Sequence, residues 1–432
     1  MSTPHSSHGS TPSPLARHGQ LRVARPASFV LKMVAASLAV LLVSGLSVAA
    51  VAIHNVVSSI RPGVALPGDD AGSTRGVDAI EGGVNLLLVG SDSGGGNAAY
   101  GERGAELNDV TMLLHISEDH ERATVVSFPR DLFVDIPACP DPEAAGVGFA
   151  PVTSQKLNTA LSRGGLACPV IAIEELTGLD IPFAAKIEFD GVIAMSNAVG
   201  GVPVCVATPI NDRQISFKLA AGEHTLSGFD ALQFLRSRYG VGDGSDLTRI
   251  SNQQQFLSSL VRTLKASETL SNPVKLYGIA TAAVQNLEFS ESLRNVDTMV
   301  SIAMALKDIP LEEVLFVKYP SGAGASGGQS GVVPIPDAAD ALFAAIQADQ
   351  PIGLTGGTGG GTVVDPNAQA PGQAEPDPSA PPAPSSEPGA TPDPSASAAP
   401  EATAPTRVEL PSVVEGQNAG QQTCTAGQAA GG

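Results

Sequence analysis

Between Met33 and Ile53 runs an uninterrupted, mostly apolar stretch of about 21 residues, MVAASLAVLLVSGLSVAAVAI, without a charged side chain. That is the length a helix needs to cross the hydrocarbon core of a bilayer. The pattern changes after Val84. Val84 to Val89 reads as a buried strand ending at Gly90, and Thr111 to Ile116 and Ala123 to Ser127 carry the same signal. Helical periodicity covers Pro169 to Thr177, Gly191 to Val199, Phe229 to Ser237 and Arg249 to Leu264. Strands interleaved with helices predict an α/β or α-β-α layered domain.

The flanks divide the chain further. Residues 1–28 carry Arg17, Arg22 and Arg25 and no acid. The positive-inside rule assigns them to the cytoplasm, residues 29–55 to a transmembrane anchor, and everything beyond to the outside. Ala50-Val51-Ala52 also fits a signal-peptide cleavage pattern. Signal-peptide apolar cores run about 7–15 residues, shorter than this stretch, and the length argues for an uncleaved anchor. Breakers at Pro62-Gly63 and Pro67-Gly68 mark residues 56–80 as a linker. The globular pattern occupies residues 81–349. Residues 350–432 turn to Gly, Pro, Ala, Ser and Glu, as in GGTGGGT and PDPSAPPAPSSEPGATPDPSASAAP. They are expected to form a disordered tail, because such sequence buries too little apolar surface to offset its ordering entropy.

A formal net charge of −19 argues against nucleic acid as a partner, since that needs a basic footprint. The charge is uneven: no acid precedes Asp69, and Arg407 is the only basic residue after Lys318. The middle of the chain is nearer balance, and its arginines can hold an anion. Cys139, Cys168, Cys205 and Cys424 form no CxxC pair, which argues against zinc. An exported domain permits disulfides, and Cys139 with Cys168 is the pairing expected here; free buried thiols fit as well.

His115, His120 and His224 show neither metal-ligand nor triad spacing, and His115 in its apolar strand reads as a core residue. Gly324 to Gly328 matches GxSxG, but its glycine-rich flanks lack the strand and helix of a nucleophile elbow. What remains is carboxylates and arginines at the ends of elements. Asp92 follows the first strand, Asp109 precedes the next, Arg130-Asp131 follows the third, Arg236 and Arg238 end a helix, and Asp246 opens one. Arg249 and Gln253 are four apart and share a helix face. Asp246 also suits a helix-capping role, and each residue alone could be an ordinary cap or surface pair. Together they suit phosphate: guanidinium forks match phosphate oxygens, and paired carboxylates can hold Mg²⁺ against a pyrophosphate. The chemistry implied is phosphoryl transfer.

The string VNLLLVGSDS…LNDVTMLLHISEDHERATVVSFPRDLFVDIP is similar to the opening of LytR-CpsA-Psr domains. Lys156-Leu157-Asn158, Phe189-Asp190-Gly191, Gly200-Gly201-Val202 and ALQFLRSR followed by DLTRISNQQQF extend the likeness over residues 84–265. The resemblance implies an extracytoplasmic α-β-α domain with a central mixed sheet, held in the cytoplasmic membrane by one N-terminal helix. It implies transfer of a glycosyl phosphate from a polyprenyl-pyrophosphate glycan donor to a peptidoglycan hydroxyl, with Mg²⁺ (or Mn²⁺). Carried over by motif, Asp92 and Asp109 would hold the metal. Arg130, Arg236, Arg238 and Arg249 would grip the pyrophosphate with Gln253 assisting, and Lys156 would join the phosphate site. Asp131 and Asp246 would orient the arginines, and one acid would accept the proton of the attacking hydroxyl.

Two departures stand out. Leu107 and Gly94 occupy positions where the family often has arginine, while Arg103 lies in the intervening loop. A second function class is therefore carried alongside the first: a lipid-glycan-binding paralogue of low activity that regulates wall assembly. The Pro/Ala/Ser tail and low Lys content resemble proteins of high-GC Gram-positive bacteria, with an arabinogalactan, teichoic acid or capsule polymer as cargo.

Overall fold

The computed structural model describes residues 26–67, 83–93, 105–142, 144, 146–365 and 407–428. The chain forms two units, Met1–Asn55 and Val56–Gly432. A single helix, α1, runs Pro26–Ser58. Its Phe29–Ser58 portion is long and apolar enough to cross a membrane.

In chain order, the strands that build the two main sheets are β1 (Val84–Ser91), β2 (Asn108–Ile116), β3 (Ala123–Phe128), β4 (Phe183–Ile187), β5 (Val202–Thr208), β6 (Gly222–Leu226), β7 (Leu287–Phe289), β8 (Val314–Lys318), β9 (Thr362–Val364), β10 (Gly416–Asn418) and β11 (Thr423–Ala426). The helices around them are α2 (Ala167–Thr177), α3 (Phe189–Val199), α4 (Gly228–Arg236), α5 (Asp246–Lys265), α6 (Pro273–Asn286), α7 (Val296–Asp308) and α8 (Pro336–Gln347). The central sheet has the order β7-β4-β1-β2-β3-β8-β10. It is mixed: β1 and β4 are parallel, as are β3 and β8, while β1, β2 and β3 run antiparallel in sequence.

Strand alternation sorts the side chains. Leu87, Val89, Leu113, Val126 and Phe128 pack on one face with Ile173 of α2 and Phe343 of α8. Leu86, Leu88, Leu114 and Val125 face the other way, toward Leu257 of α5 and Ile302 of α7. This is the α-β-α layering expected. A second sheet, β6-β5-β11-β9, lays Val202, Val204 and Val206 against Phe234 of α4 and Phe256 of α5.

The tail departs from expectation. Residues 350–432 were expected to be disordered throughout, yet β9, β10 and β11 are paired strands, and β10 extends the central sheet on β8. Cys424 lies opposite Cys205 in register and is disulfide-bonded to it. The glycine run serves close packing rather than flexibility: Gly359 has a positive φ of 89°, and a Cβ on Gly361 would collide with the Thr248 carbonyl. The intervening residues 366–406 lie outside those described, as do residues 1–25, 68–82 and 429–432. The second disulfide, Cys139–Cys168, is the expected one. Gly327 and Gly328, with φ of 55° and 79°, turn the hairpin between Ser321–Ser326 and Gln329–Pro334, so the GxSxG match is a hairpin tip.

Candidate active site

The charged residues converge where β1 and β3 end and β2 begins, beside the start of α5. Ser245 caps that helix, its hydroxyl accepting the Thr248 amide at 3.3 Å. The capping role expected of Asp246 is therefore filled by its neighbour, and the Asp246 carboxylate turns to the arginines instead. It lies 2.8 Å from Arg249 Nη2 and 3.6 Å from Arg130 Nε. Its Oδ2 also accepts the Arg130 backbone amide. Arg130 donates to Asp109 Oδ1 at 2.8 Å, and Lys156 donates to Asp131 Oδ1 at 2.8 Å. Arg249, buried, donates to the Asp109 carbonyl at 2.8 Å. Six of the expected residues thus form one network: Asp109, Arg130, Asp131, Lys156, Asp246 and Arg249.

Burial opposes charge on Arg130, but Asp109, Asp246 and Asp131 together hold its pKa above the ordinary value. Burial likewise pushes the Asp131 carboxyl up. The Lys156 hydrogen bond and the charges of Arg130, Lys156 and Arg238 outweigh it and keep the carboxyl below its usual range. Arg249 Nε is buried without a hydrogen-bond partner among the described residues, while Arg130 Nε and Asp246 Oδ1 are held by ion pairing. A buried donor left in that state is costly, and an anion at the site would satisfy it.

Arg236 stands slightly apart. Its guanidinium lies 4.5 Å from the Phe189 ring centroid and donates to Gln233 Oε1 at 3.2 Å. Gln253 donates to the Leu235 carbonyl at 3.2 Å, which ties α5 to α4. Arg238 donates from Nε to the Gly244 carbonyl and lies over Tyr239. The turn that carries it is fixed by Asp212, a buried carboxylate accepting the amides of Arg238 and Tyr239 at 2.9 and 3.0 Å. Asp92 is buried at the end of β1, and its Oδ1 accepts the Leu107 amide. Ser91 pairs with Asn108, so Asp92 and Asp109 sit on adjacent strand ends. Carboxylate oxygens there have the donor chemistry a hard divalent ion prefers. Gly94 and Arg103 lie outside the described residues.

Behind the charged cluster opens a cavity of about 290 Å³, which sequence reading did not locate. Its mouth holds Asp109, Arg236, Arg249 and Gln253; its walls are Leu88, Met112, Phe189, Val192, Met195 and their neighbours. On α5 the lining residues Arg249, Gln253, Phe256, Leu257, Leu260 and Leu264 recur at three- and four-residue intervals, so one helix face forms a wall. At 1.5 Å per residue that wall runs roughly 22 Å. From sequence these positions are indistinguishable from ordinary core.

The cavity thus joins apolar walls to a mouth that carries two arginines and a carboxylate. The chain belongs to the LytR_cpsA_psr family, whose match spans residues 63–332. It is 31% identical over 314 residues to the cell wall biosynthesis protein LcpA of Corynebacterium glutamicum, covering 66% of this chain and 58% of that protein. To the probable cell wall biosynthesis protein LcpB of the same organism it is 31% identical, covering 61% of each chain. The chain thus spans about three fifths of these relatives' length. The polyisoprenyl-teichoic acid–peptidoglycan teichoic acid transferase TagT of Bacillus subtilis is 26% identical, covering 52% of this chain and 65% of that protein. Among solved structures, protein gbs0355 of Streptococcus agalactiae shares the fold with a TM-score of 0.51 at 22% identity, covering 63% of this chain and 89% of that one.

Proposed function

We propose that the chain is a membrane-anchored transferase of cell-wall assembly that moves a glycopolymer from a polyprenyl-pyrophosphate carrier onto peptidoglycan as a phosphodiester. The observation that carries this reading is the junction of the apolar channel with the arginine-lined mouth. A polyprenyl chain fills an apolar channel, and a pyrophosphate meets the guanidinium forks at its end. The names of the relatives point the same way.

In this reading Arg249 and Arg130 grip the pyrophosphate from the side of Asp246, while Arg236 and Arg238 approach from the end of α4. Their positions are set before substrate arrives, by Asp246 and Asp109 for the first pair, and by Phe189 and the Asp212-fixed turn for the second. Such preorganised charge is what phosphoryl transfer requires of a protein. Asp131, paired with Lys156 at 2.8 Å, would orient Arg130, and one acid of the cluster would take the proton of an incoming hydroxyl. Asp92 and Asp109 would hold Mg²⁺ or Mn²⁺, which when bound neutralises charge on the phosphates. The anchor helix would leave residues 1–28 in the cytoplasm and the domain outside.

The test follows pyrophosphate cleavage of a polyprenyl-pyrophosphate substrate by the full chain, with and without Mg²⁺, beside Arg130→Ala. We expect metal-dependent release that falls on the order of 100- to 1000-fold in the variant. Lipid that binds without release would instead support the non-catalytic paralogue, with Leu107 as its cause.

A further inference from the structure

The apolar channel lies on one face of the central sheet. On the other face, where β3 and β8 end, a second cleft of about 440 Å³ opens between α2, α8 and the Ser321–Pro334 hairpin. Its wall on α8 is Pro336, Asp340, Ala344 and Gln347, which recur at four- and three-residue spacing. Pro334 of the hairpin adds a second proline, and Tyr319, the residue after β8, lines the cleft from below.

Tyr319 is only 3% exposed, with its ring 5.2 Å from Phe128 and 6.0 Å from Phe343. Its amide donates to the Ser127 carbonyl and its own carbonyl accepts from the Ser321 hydroxyl. The phenolic hydroxyl has no hydrogen-bond partner among the described residues, although a buried tyrosine usually finds one. Burial, reinforced by the charge of Asp340, raises its pKa to about 12, so the group stays a neutral donor. Gln347 spends its amide nitrogen on the Thr177 carbonyl at 2.9 Å, which leaves Oε1 as an acceptor. Asp340 supplies a second acceptor, and no lysine, arginine or histidine lines the cleft.

This chemistry selects a class of ligand. A lone carboxylate without a cation beside it repels phosphate-bearing polymer. What fits must donate hydrogen bonds to Asp340 and Gln347, exchange one with Tyr319 and lay a flat apolar face on the prolines. A pyranose meets all three demands, with hydroxyls around its rim and C–H groups on its faces. The cleft also lies near the charged cluster. Val332 of the hairpin donates its amide to the Asp131 carbonyl at 3.0 Å, and Pro334, two residues on, lines the cleft. Two extended residues span roughly 7 Å.

We infer that this cleft is a subsite for uncharged sugar units of the acceptor glycan, held across the sheet end from the phosphate site. The inference rests on the transferase reading above. It separates the two substrates by charge: the arginine-lined mouth takes the anionic donor, and the cation-free cleft takes the neutral acceptor.

The test titrates chitotetraose, an uncharged oligosaccharide of N-acetylated amino sugars, into the full chain in detergent micelles and follows binding by calorimetry. Ala344 is exposed on α8, so Ala344→Trp fills the cleft without entering the core, and binding should be lost. Tyr319→Phe removes one hydroxyl and should weaken binding about three- to tenfold. Its Tm should hold or rise, because that hydroxyl has no partner to lose. In transfer assays both variants should raise the KM for a soluble glycan acceptor and leave the KM for the lipid donor level. A wild-type chain that ignores chitotetraose, or binding that both variants leave intact, would overturn the proposal. So would displacement of the sugar by a poly(glycerol phosphate), which would give the cleft to an anionic polymer. A fall in the Tm of Tyr319→Phe with binding unchanged would make the hydroxyl structural and likewise sink it. Sugar binding lost in both variants, in a wild-type chain that transfers nothing, would remove the transferase reading and leave the sugar site standing.

Discussion

One side of α5 presents Arg249, Gln253, Phe256, Leu257, Leu260 and Leu264 to the cavity. The side turned to the C-terminal strands presents Asn252, Gln255 and Ser258, which are buried more deeply than the half-buried Leu257, Leu260 and Leu264. Asn252 accepts from Thr425 at 2.7 Å, Gln255 donates to the Thr423 carbonyl at 3.2 Å, and Gln417 donates to Ser258 at 2.9 Å. The first side is charged at its head and apolar along its length, as an amphiphile's wall must be. The second is neutral and polar, and every hydrogen bond it makes to a residue beyond 406 belongs to the segment that was expected to be disordered. The difference teaches that one helix can serve two unlike ends: a cavity wall on one side, the anchoring of a distant segment on the other.

The contrast predicts that damage on the ligand side removes function, and damage on the tail side removes stability. Arg249→Ala should do most. It leaves Asp246 buried with its nearest partner gone, a loss of about 3–5 kcal/mol. In the proposed reading it also removes a phosphate ligand, so turnover should fall at least about 100-fold. Thermal unfolding and donor cleavage at a temperature where the variant is folded separate the two effects. Arg249→Lys should recover more folding than turnover, because an ammonium lacks the paired donors.

Replacing Cys205 and Cys424 with Ser comes next. Their bond closes a loop of 219 residues, and its loss should cost about 2–5 kcal/mol. Turnover at temperatures where the variant remains folded should stay within about twofold of wild type. That margin follows from distant sites acting independently. A turnover loss matching that of Arg249→Ala would break the comparison, since the tail side would then shape the site.

These two sides were not equally legible. Strands β1 to β3, helices α2 to α5 and the charged cluster follow from local pattern: apolar runs of strand length, 3.6-residue spacing, and acid–arginine pairs at element ends. Each signal is contained within a short window. Within the NQQQ stretch of α5, Gln253 bonds the nearby Leu235 carbonyl, but Gln255 and Asn252 also meet Thr423 and Thr425, 168 and 173 residues downstream. Those partners, in TCTA, sit beyond a Pro/Ala/Ser run whose composition dominates any window that includes them. Cys424 was the one visible clue, and it could not be used without knowing that Cys205 would meet it in register. The channel was hidden for another reason: an apolar wall and an apolar core have the same composition, and only packing in three dimensions leaves one of them open.

Filling the channel tests the ligand side without touching a charge. Leu260→Trp should narrow it at a cost of about 1–3 kcal/mol in overpacking. The KM for a long polyprenyl donor should rise about tenfold, while that for a donor with a short tail stays level. Equal effects on both donors would mean that the tail does not occupy the channel.

The finest distinction is electrostatic. Asp131 has its carboxyl pKa held below the ordinary value by Lys156 and the nearby arginines, against the effect of burial. A native pKa below the unfolded one means the folded chain binds fewer protons, so the stabilisation is complete above about pH 4 and is lost as pH falls through the lower native value. Lys156→Met should therefore destabilise by less than about 1 kcal/mol at pH 7, because both side chains remain partly exposed. The gap to wild type should close below about pH 4, and shrink in 1 M salt. Thr425→Val, which cuts a neutral bond on the tail side of α5, should cost about 1 kcal/mol independently of pH and salt. Urea unfolding of both variants at pH 7 and pH 3.5 would show two parallel curves on the tail side and two converging ones on the ligand side. Convergence in both would mean that the polar face of α5 is held by charge after all, and that the two sides differ in partner but not in kind.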